Sequence, residues 1–364
     1  MRPIHLSLLV ALYFALTSTA LASTTWYVDG VSGSDVNDCT SANTACKTIG
    51  HAISLATSGD SIMVATAIYV ENLNISKTLK LYGSGAKPTI HPKNVNLPVV
   101  QVATGVLLSK LTISGGKNSG VLNSGTLTMN DCTVSHNSGQ RHSGISFGGG
   151  IYNIGRLTIN NSTISANGAS GGGGIYSRGT LAINRSTLTG NSGALGAGIF
   201  SQFGAPLAIT NSTITGNVGE VGAGIAGGTT VISNSTISGN NGDGIANATA
   251  TFQNSIVANN NGGNCYNNTL TSKGYNLSSD GTCNFNEPGD LNNTDPMLGP
   301  LQNNGGPTQT MALTSGSPAI DAGNPNGCKD KLGNLLKTDQ RGQARHDPED
   351  TRGCDIGAYE SQRD

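Results

Sequence analysis

Between residues 113 and 260 the chain repeats itself, and the period of that repeat decides what it can fold into. A short Gly-Ile-Tyr-Asn-like element (Gly150-Ile151-Tyr152-Asn153, Gly174-Ile175-Tyr176-Ser177, Gly198-Ile199-Phe200-Ser201) alternates with a longer one typified by residues 157–167, 181–191 and 207–217. The central apolar residue of the longer element falls at Ile113, Val134, Ile164, Leu188, Ile214, Ile237 and Val257, at separations of 21, 30, 24, 26, 23 and 20. Helical solenoids need about 33 residues or more per repeat, and the leucine-dominated consensus of leucine-rich repeats is absent. A period in the low twenties, built of β-branched runs broken by Gly and Asn, predicts one coil of a β-solenoid per repeat. The 52 glycines in 364 residues fit a chain that turns often.

Side-chain parity predicts where each coil bends. In Leu157-Thr158-Ile159 the apolar residues share one parity; in Ser162-Thr163-Ile164-Ser165 the small and apolar residues sit on the other. A flat strand cannot switch parity without turning its core face to water. Two strands must therefore meet at Asn160-Asn161, where Asn tolerates the left-handed conformation. The Gly-Ile-Tyr-Asn element adds a third strand. The expected architecture is all-β: a single-stranded right-handed parallel β-helix with three sheets and roughly 20–30 residues per coil.

In such a stack each aligned position becomes a column about 4.8 Å from coil to coil. Asn137, Asn167, Asn191, Asn217, Asn240 and Asn260 form one column, with side-chain amides placed to bond up and down it. Ser162, Ser186, Ser212, Ser235 and Ser255 form an inward column of small residues that also contains Cys132. A single coil inserts too few aliphatic side chains to offset its ordering entropy, so both ends of the stack need caps. Ile49, Ala52, Ile53 and Ala56 have the spacing of an amphipathic helix, and strands follow at 61–64, 73–75 and 79–81. The chain divides into 1–22, 23–100 (N-terminal cap and first coils), 101–262 (regular coils) and 263–364 (a loop-rich C-terminal cap).

Residues 1–22 read as a secretory signal peptide: Arg2, an apolar stretch over 6–16, and Ala20-Leu21-Ala22 ahead of Ser23. Export into an oxidising compartment makes disulfides the expected state of the cysteines. Local pairing would join Cys39 to Cys46, Cys265 to Cys283 and Cys328 to Cys354, leaving Cys132 as a small buried hydrophobe. Twenty basic against 21 acidic residues give no electrostatic footprint for nucleic acid. No stretch of the mature chain is long and apolar enough to span a membrane.

The C-terminal third contains Ser317-Pro318-Ala319-Ile320-Asp321-Ala322-Gly323-Asn324, Asp339-Gln340-Arg341-Gly342 and Asp355-Ile356-Gly357-Ala358-Tyr359-Glu360. In this series the chain resembles the choice-of-anchor Q domain. As a whole it resembles bacterial parallel β-helix proteins of the pectin-lyase-like superfamily, and its repeats are similar to those of polymorphic outer-membrane proteins. The resemblance implies an exported or cell-surface protein, monomeric, with a structural or adhesive role. Its expected partners are an extracellular glycan, the cell wall or a surface protein.

Catalysis on this fold would need charged residues on neighbouring coils. Between 100 and 262 the acids are only Asp131, Glu220 and Asp243, on well-separated coils, which argues against a carboxylate-based hydrolase. The alternative of a polysaccharide lyase acting by β-elimination would draw on Arg141 and His142, in the longest inter-strand insertion, and on Arg156 and Arg178, on adjacent coils near one turn. Asp29, Asp35 and Asp38, in a Gly/Asp/Asn loop beside Cys39, offer oxygen ligands to Ca2+, against the plainer reading of turn-forming carboxylates. No other cofactor is expected. The outward pairs Thr112/Ser114, Thr133/Ser135, Thr163/Ser165, Thr187/Thr189, Thr213/Thr215 and Thr236/Ser238 form a hydroxyl array like the face of an ice-binding β-solenoid, a further alternative.

Overall fold

A computed structural model describes residues 23–142, 144–345 and 353–362. The signal-peptide reading falls on residues outside that range.

The repeat region is a right-handed parallel β-helix. Three ladders of short parallel strands run the length of the stack. One is a separate ten-stranded sheet from Ile68–Val70 to Leu277–Ser278; the other two merge into an 18-stranded sheet through the long strands Ile199–Thr210 and Ile225–Ser233. The register keeps like residues together: Leu127, Leu157 and Leu181 are stacked partners, as are Val134, Ile164 and Leu188. All six are fully buried. Each coil thus adds an identical layer to one continuous core (about 1.5–3 kcal/mol per fully buried aliphatic side chain).

The bend lies where parity placed it. Asp131, Asn161, Arg185, Asn211, Asn234 and Asn254, one per coil, all have φ between 47 and 54°. The Asn column forms a buried hydrogen-bonded ladder: each Nδ2 donates to the next Oδ1 at 2.9–3.0 Å, from Asn137 through Asn167, Asn191, Asn217, Asn240 and Asn260 to Asn264. In the serine column the Cys132 N–H donates to Ser162 Oγ, the Ser162 N–H to Ser186 Oγ, and so on to Ser255. Gly150 is required by close stacking: a Cβ there would stand 2.6 Å from the Gly174 carbonyl of the next coil.

The helix Ile49–Leu55 caps the N-terminal end, with Thr48 Oγ1 accepting from the His51 N–H and the Glu71 carboxylate accepting from the N–H groups of Ile49 and Gly50. The disulfides are Cys39–Cys46, Cys265–Cys283 and Cys328–Cys354, and Cys132 is free and buried. No helix among the described residues is long and apolar enough to cross a membrane.

The C-terminal region does more than close the end of the stack. It turns back along the flank as a strap over the ten-stranded sheet. Gln340 accepts from Thr213 Oγ1 (2.7 Å) and donates to Thr187 Oγ1 (2.9 Å) and Thr308 Oγ1 (3.0 Å), while the Ala358 N–H donates to Thr236 Oγ1. Beneath the strap the Arg345 guanidinium pairs with Glu360 at 2.8 Å and donates to Asn211 Oδ1. Arg341 pairs with Asp339 at 2.7 Å and lies 3.7 Å above the Tyr359 ring. The hydroxyl array is therefore not a free flat face. Thr187, Thr213 and Thr236 are at most 1% exposed and spend their hydroxyls on the strap, so of the six pairs only 112/114, 133/135 and 163/165 lie outside it.

Candidate functional site

The strap also builds a cleft on the adjacent flank. Its disulfide-anchored loop follows Cys328, closes on itself through the antiparallel bridge Lys329–Leu335, and is pinned by bend residues of the solenoid. Asn234 Nδ2 donates to the Lys329 carbonyl and Asn211 Nδ2 to the Thr338 carbonyl. Lys331 and Leu332 at its tip overhang the 18-stranded sheet, whose outward side chains here are small. Two hollows result, sharing Ala182 and Ala208 as floor and Lys331 as roof. One, of about 220 Å³, is bordered by Arg185, Asn211 and Asp330. The other, of about 210 Å³, is bordered by Arg156, Thr158, Thr180 and Pro206.

Cations outnumber anions in this cleft. Among the described residues the ion pairs are Arg341–Asp339 and Arg345–Glu360, both beneath the strap. Arg156, Arg185 and Lys331 pair with no carboxylate among the described residues. Asp330 is turned into its own loop, accepting from the N–H groups of Leu332 and Asn334 and from Asn334 Nδ2. Burial would raise its pKa, but the bonds from Asn334 and Leu332 outweigh that and hold it below the usual carboxylate range.

Arg178 lies beside the cleft on the same flank. The pairing Asn153–Ser177 places it one coil above Ile154, and Arg156 pairs with Thr180, so the two arginines are diagonal neighbours on adjacent coils. Arg141 and His142 belong to a two-stranded hairpin, Gln140–His142 with Ile145–Phe147, in the longest coil; their side chains lie outside the described structure. Phe147 leaves that hairpin to pack against Tyr176 and Phe200 at centroid distances of 4.9 and 6.5 Å. Sequence reasoning missed both Lys331 and the outward column Tyr152, Tyr176, Phe200. The aromatic column was visible in the repeat alignment, whereas the placement of Lys331 depends on where the strap lands.

The three N-terminal aspartates are not brought together as a calcium site. Asp29 accepts from the N–H groups of Val31 and Ser32, Asp35 from the N–H groups of Lys47 and Thr48, and Asp38 from the Thr40 N–H and Thr44 Oγ1. Each carboxylate is consumed by a local turn or helix start. Among the described residues the metal-type side chains that converge are Cys39, Cys46 and His51, and both sulfurs are tied in the disulfide. A larger hollow of about 560 Å³ on the glycine-rich connections is walled mainly by Gly and Ser, with Lys117 its one charged residue.

Comparison with solved structures places the fold. The chain is similar to pectate lyase Pel9A, with a TM-score of 0.55 and 13% identity over 94% of this chain and 97% of that one. Weaker likenesses are to a lacto-N-biosidase from Eubacterium ramulus (TM-score 0.44, 13% identity, 70% of this chain and 64% of that one) and to a rhamnogalacturonan lyase (0.41, 13%, 70% and 82%). No family model matches the chain, and no curated protein does. The molecule is thus a right-handed parallel β-helix of the pectate-lyase-like architecture, established at the level of fold.

Proposed function

We propose that the protein is an exported, surface-associated β-helix module that binds an acidic polysaccharide in the cleft beneath the Lys331 loop. The supporting observation is the set of cations around a small-residue floor that pair with no carboxylate among the described residues, Arg156 and Arg185 at its sides and Lys331 above. Guanidinium groups bind carboxylates bidentately, and a sheet surface floored by Ala and Thr leaves room for flat sugar rings. The pectate lyase with a similar fold carries a name that belongs to acidic-polysaccharide chemistry, which agrees with this ligand class. The C-terminal motifs resembling the choice-of-anchor Q domain agree with a surface location, and their Gln340, Arg341 and Glu360 serve to clamp the strap that forms the cleft.

The rival reading is a lyase in which Arg156 or Arg178 removes the C5 proton of a uronate as the C4–O bond breaks. It draws on the diagonal placement of those two arginines. Binding of the purified protein to polygalacturonate and to a neutral polymer, with ultraviolet detection of unsaturated product, separates the two. Salt-sensitive retention by polygalacturonate, lost in Arg156→Ala/Lys331→Ala and unaccompanied by absorbance, is the expected result. Absorbance that disappears in Arg156→Ala or Arg178→Ala would establish the lyase. Equal retention by the acidic and neutral polymers would refute the charge argument.

A further inference from the structure

Next to the cleft the solenoid carries a column of rings that folding alone leaves unexplained. Tyr152, Tyr176 and Phe200 occupy one outward register on three consecutive coils, with centroids 5.0 and 5.5 Å apart. The same register continues as Ala226 and Ala246 on the following coils, so the stack does not require a ring there. Tyr176 is 8% exposed, whereas Tyr152 and Phe200 remain partly open and Ile154 beside them is 46% exposed. The longest coil adds Phe147, which covers the ladder from the side. Arg178 stands at the edge of this patch. Desolvation, with the neighbouring Tyr152, raises the Tyr176 pKa, and the nearby Arg178 works against that rise.

We infer that this aromatic ladder is a stacking surface for pyranose rings, which extends the cleft into a longer track so that the ligand is a polysaccharide chain rather than a short oligosaccharide. The inference rests on the cleft reading above and deepens it. The two partly open rings, Tyr152 and Phe200, flank the buried Tyr176 and so lie two coils apart, about 10 Å at ~4.8 Å per coil, a spacing close to the length of two sugar residues along a polymer. Aromatic faces meet the apolar face of a pyranose, and Arg178 stands where a uronate carboxylate on the stacked sugar would lie. An acidic chain is the occupant these groups fit: apolar faces need the rings, and carboxylates need Arg178 and Arg156, which follow the rings on adjacent coils.

The test compares short and long oligogalacturonates by calorimetry on the wild-type protein and on Tyr152→Ala/Phe200→Ala, Tyr152→Phe and Arg178→Ala variants. The double variant should bind long oligomers about tenfold more weakly, equivalent to about 1.4 kcal/mol, and short oligomers as the wild type does. Tyr152→Phe, which keeps the ring, should retain the long-chain advantage. Arg178→Ala removes an exposed side chain and serves as the variant least able to disturb folding; it too should lose affinity selectively for long chains. Undiminished long-chain binding by both the double variant and Arg178→Ala overturns the stacking surface and leaves the cleft standing. Loss that is equal for all chain lengths also overturns it. Absence of binding by the wild-type protein removes the cleft reading and this one together.

Discussion

Removing one amide from the middle of the buried Asn ladder should destabilise the whole stack. Asn191 is fully buried and makes four bonds: its Oδ1 accepts from the N–H and the Nδ2 of Asn167 at 3.1 and 3.0 Å, and its Nδ2 donates to the Ile164 carbonyl and to Asn217 Oδ1, both at 3.0 Å. At about 0.5–1.5 kcal/mol for each intramolecular bond, Asn191→Ala should cost about 2–6 kcal/mol, with the upper half favoured because the orphaned groups stay dry. Asn184→Ala is the internal standard. Its Nδ2 bonds only to Asn160 Oδ1 on the outer surface, in reach of water, so its loss should cost about 1 kcal/mol. Asn191→Asp discriminates further. Its two oxygens can still accept from Asn167, but they would face the Ile164 carbonyl and Asn217 Oδ1 with no proton to give. The Asp variant should therefore be weakest at neutral pH and gain on the Ala variant as acid restores a donor. Urea unfolding followed by circular dichroism, at constant m-value, measures all three. An Asn191→Ala cost below about 1 kcal/mol, or equal to that of Asn184→Ala, would refute the view that the ladder holds the coils in register.

Four further outcomes follow from particular groups. Asp60 accepts from Thr24, Trp26 Nε1 and Thr57; burial alone would raise its pKa, but these donors lower it from 3.8 to about 2. Because the folded-state value is the lower one, its contribution is complete above pH 3.8 and disappears as pH falls through about 2, which the fluorescence of the single tryptophan, Trp26, should report and Asp60→Asn should abolish. Arg345→Ala removes one partner of a buried ion pair together with the bonds it gives to Asn211 Oδ1 and the Gly357 carbonyl, and should cost about 3–5 kcal/mol, measured as early loss of hydrogen-exchange protection in residues 303–345. The Cys132 thiol, pushed up to about 11 by burial, should resist alkylation in the native state, and Cys132→Ser should change stability by less than about 1.5 kcal/mol because Ser fills the same column on five following coils. Arg185→Asn should raise stability by about 1 kcal/mol, since Asn tolerates the left-handed conformation, while weakening retention by acidic polymer.

The coils were legible because their signals are local and repeated. The parity switch at Asn160-Asn161, the helix spacing from Ile49 to Ala56 and the inward serine column each follow from side-chain direction within one repeat, and stacking then copies the answer. The disulfide pairs were legible for a related reason, since each closes a short loop. What could not be read was the path of the strap. Gln340 meets Thr213 across 127 positions and Thr187 across 153, and no local pattern encodes such a contact. From the sequence the Thr columns look free, because exposure at those positions is decided by a segment more than a hundred residues away. The same ignorance hid the cleft: Arg156 and Arg178 could be placed on one flank by periodicity alone, but Lys331 enters only with the strap.

The left-handed column at the bend puts strap-holding residues and a cleft-lining cation in one line. Asn211, Asn234 and Asn254 occupy it where the strap lies, and each turns its amide outward to bond a strap carbonyl: Thr338, Lys329 and Asp355. One coil before that run the same conformation is imposed on Arg185 with φ 47°, in a position where a side chain without a short amide costs about 1–2 kcal/mol. Arg185 meets the strap through its carbonyl, which accepts from Thr308 Oγ1; its side chain borders the cleft instead. The strap and the cleft are therefore one construction: three coils of the column hold the Lys331 loop in place, and the coil next to them supplies a cation facing the space that loop encloses.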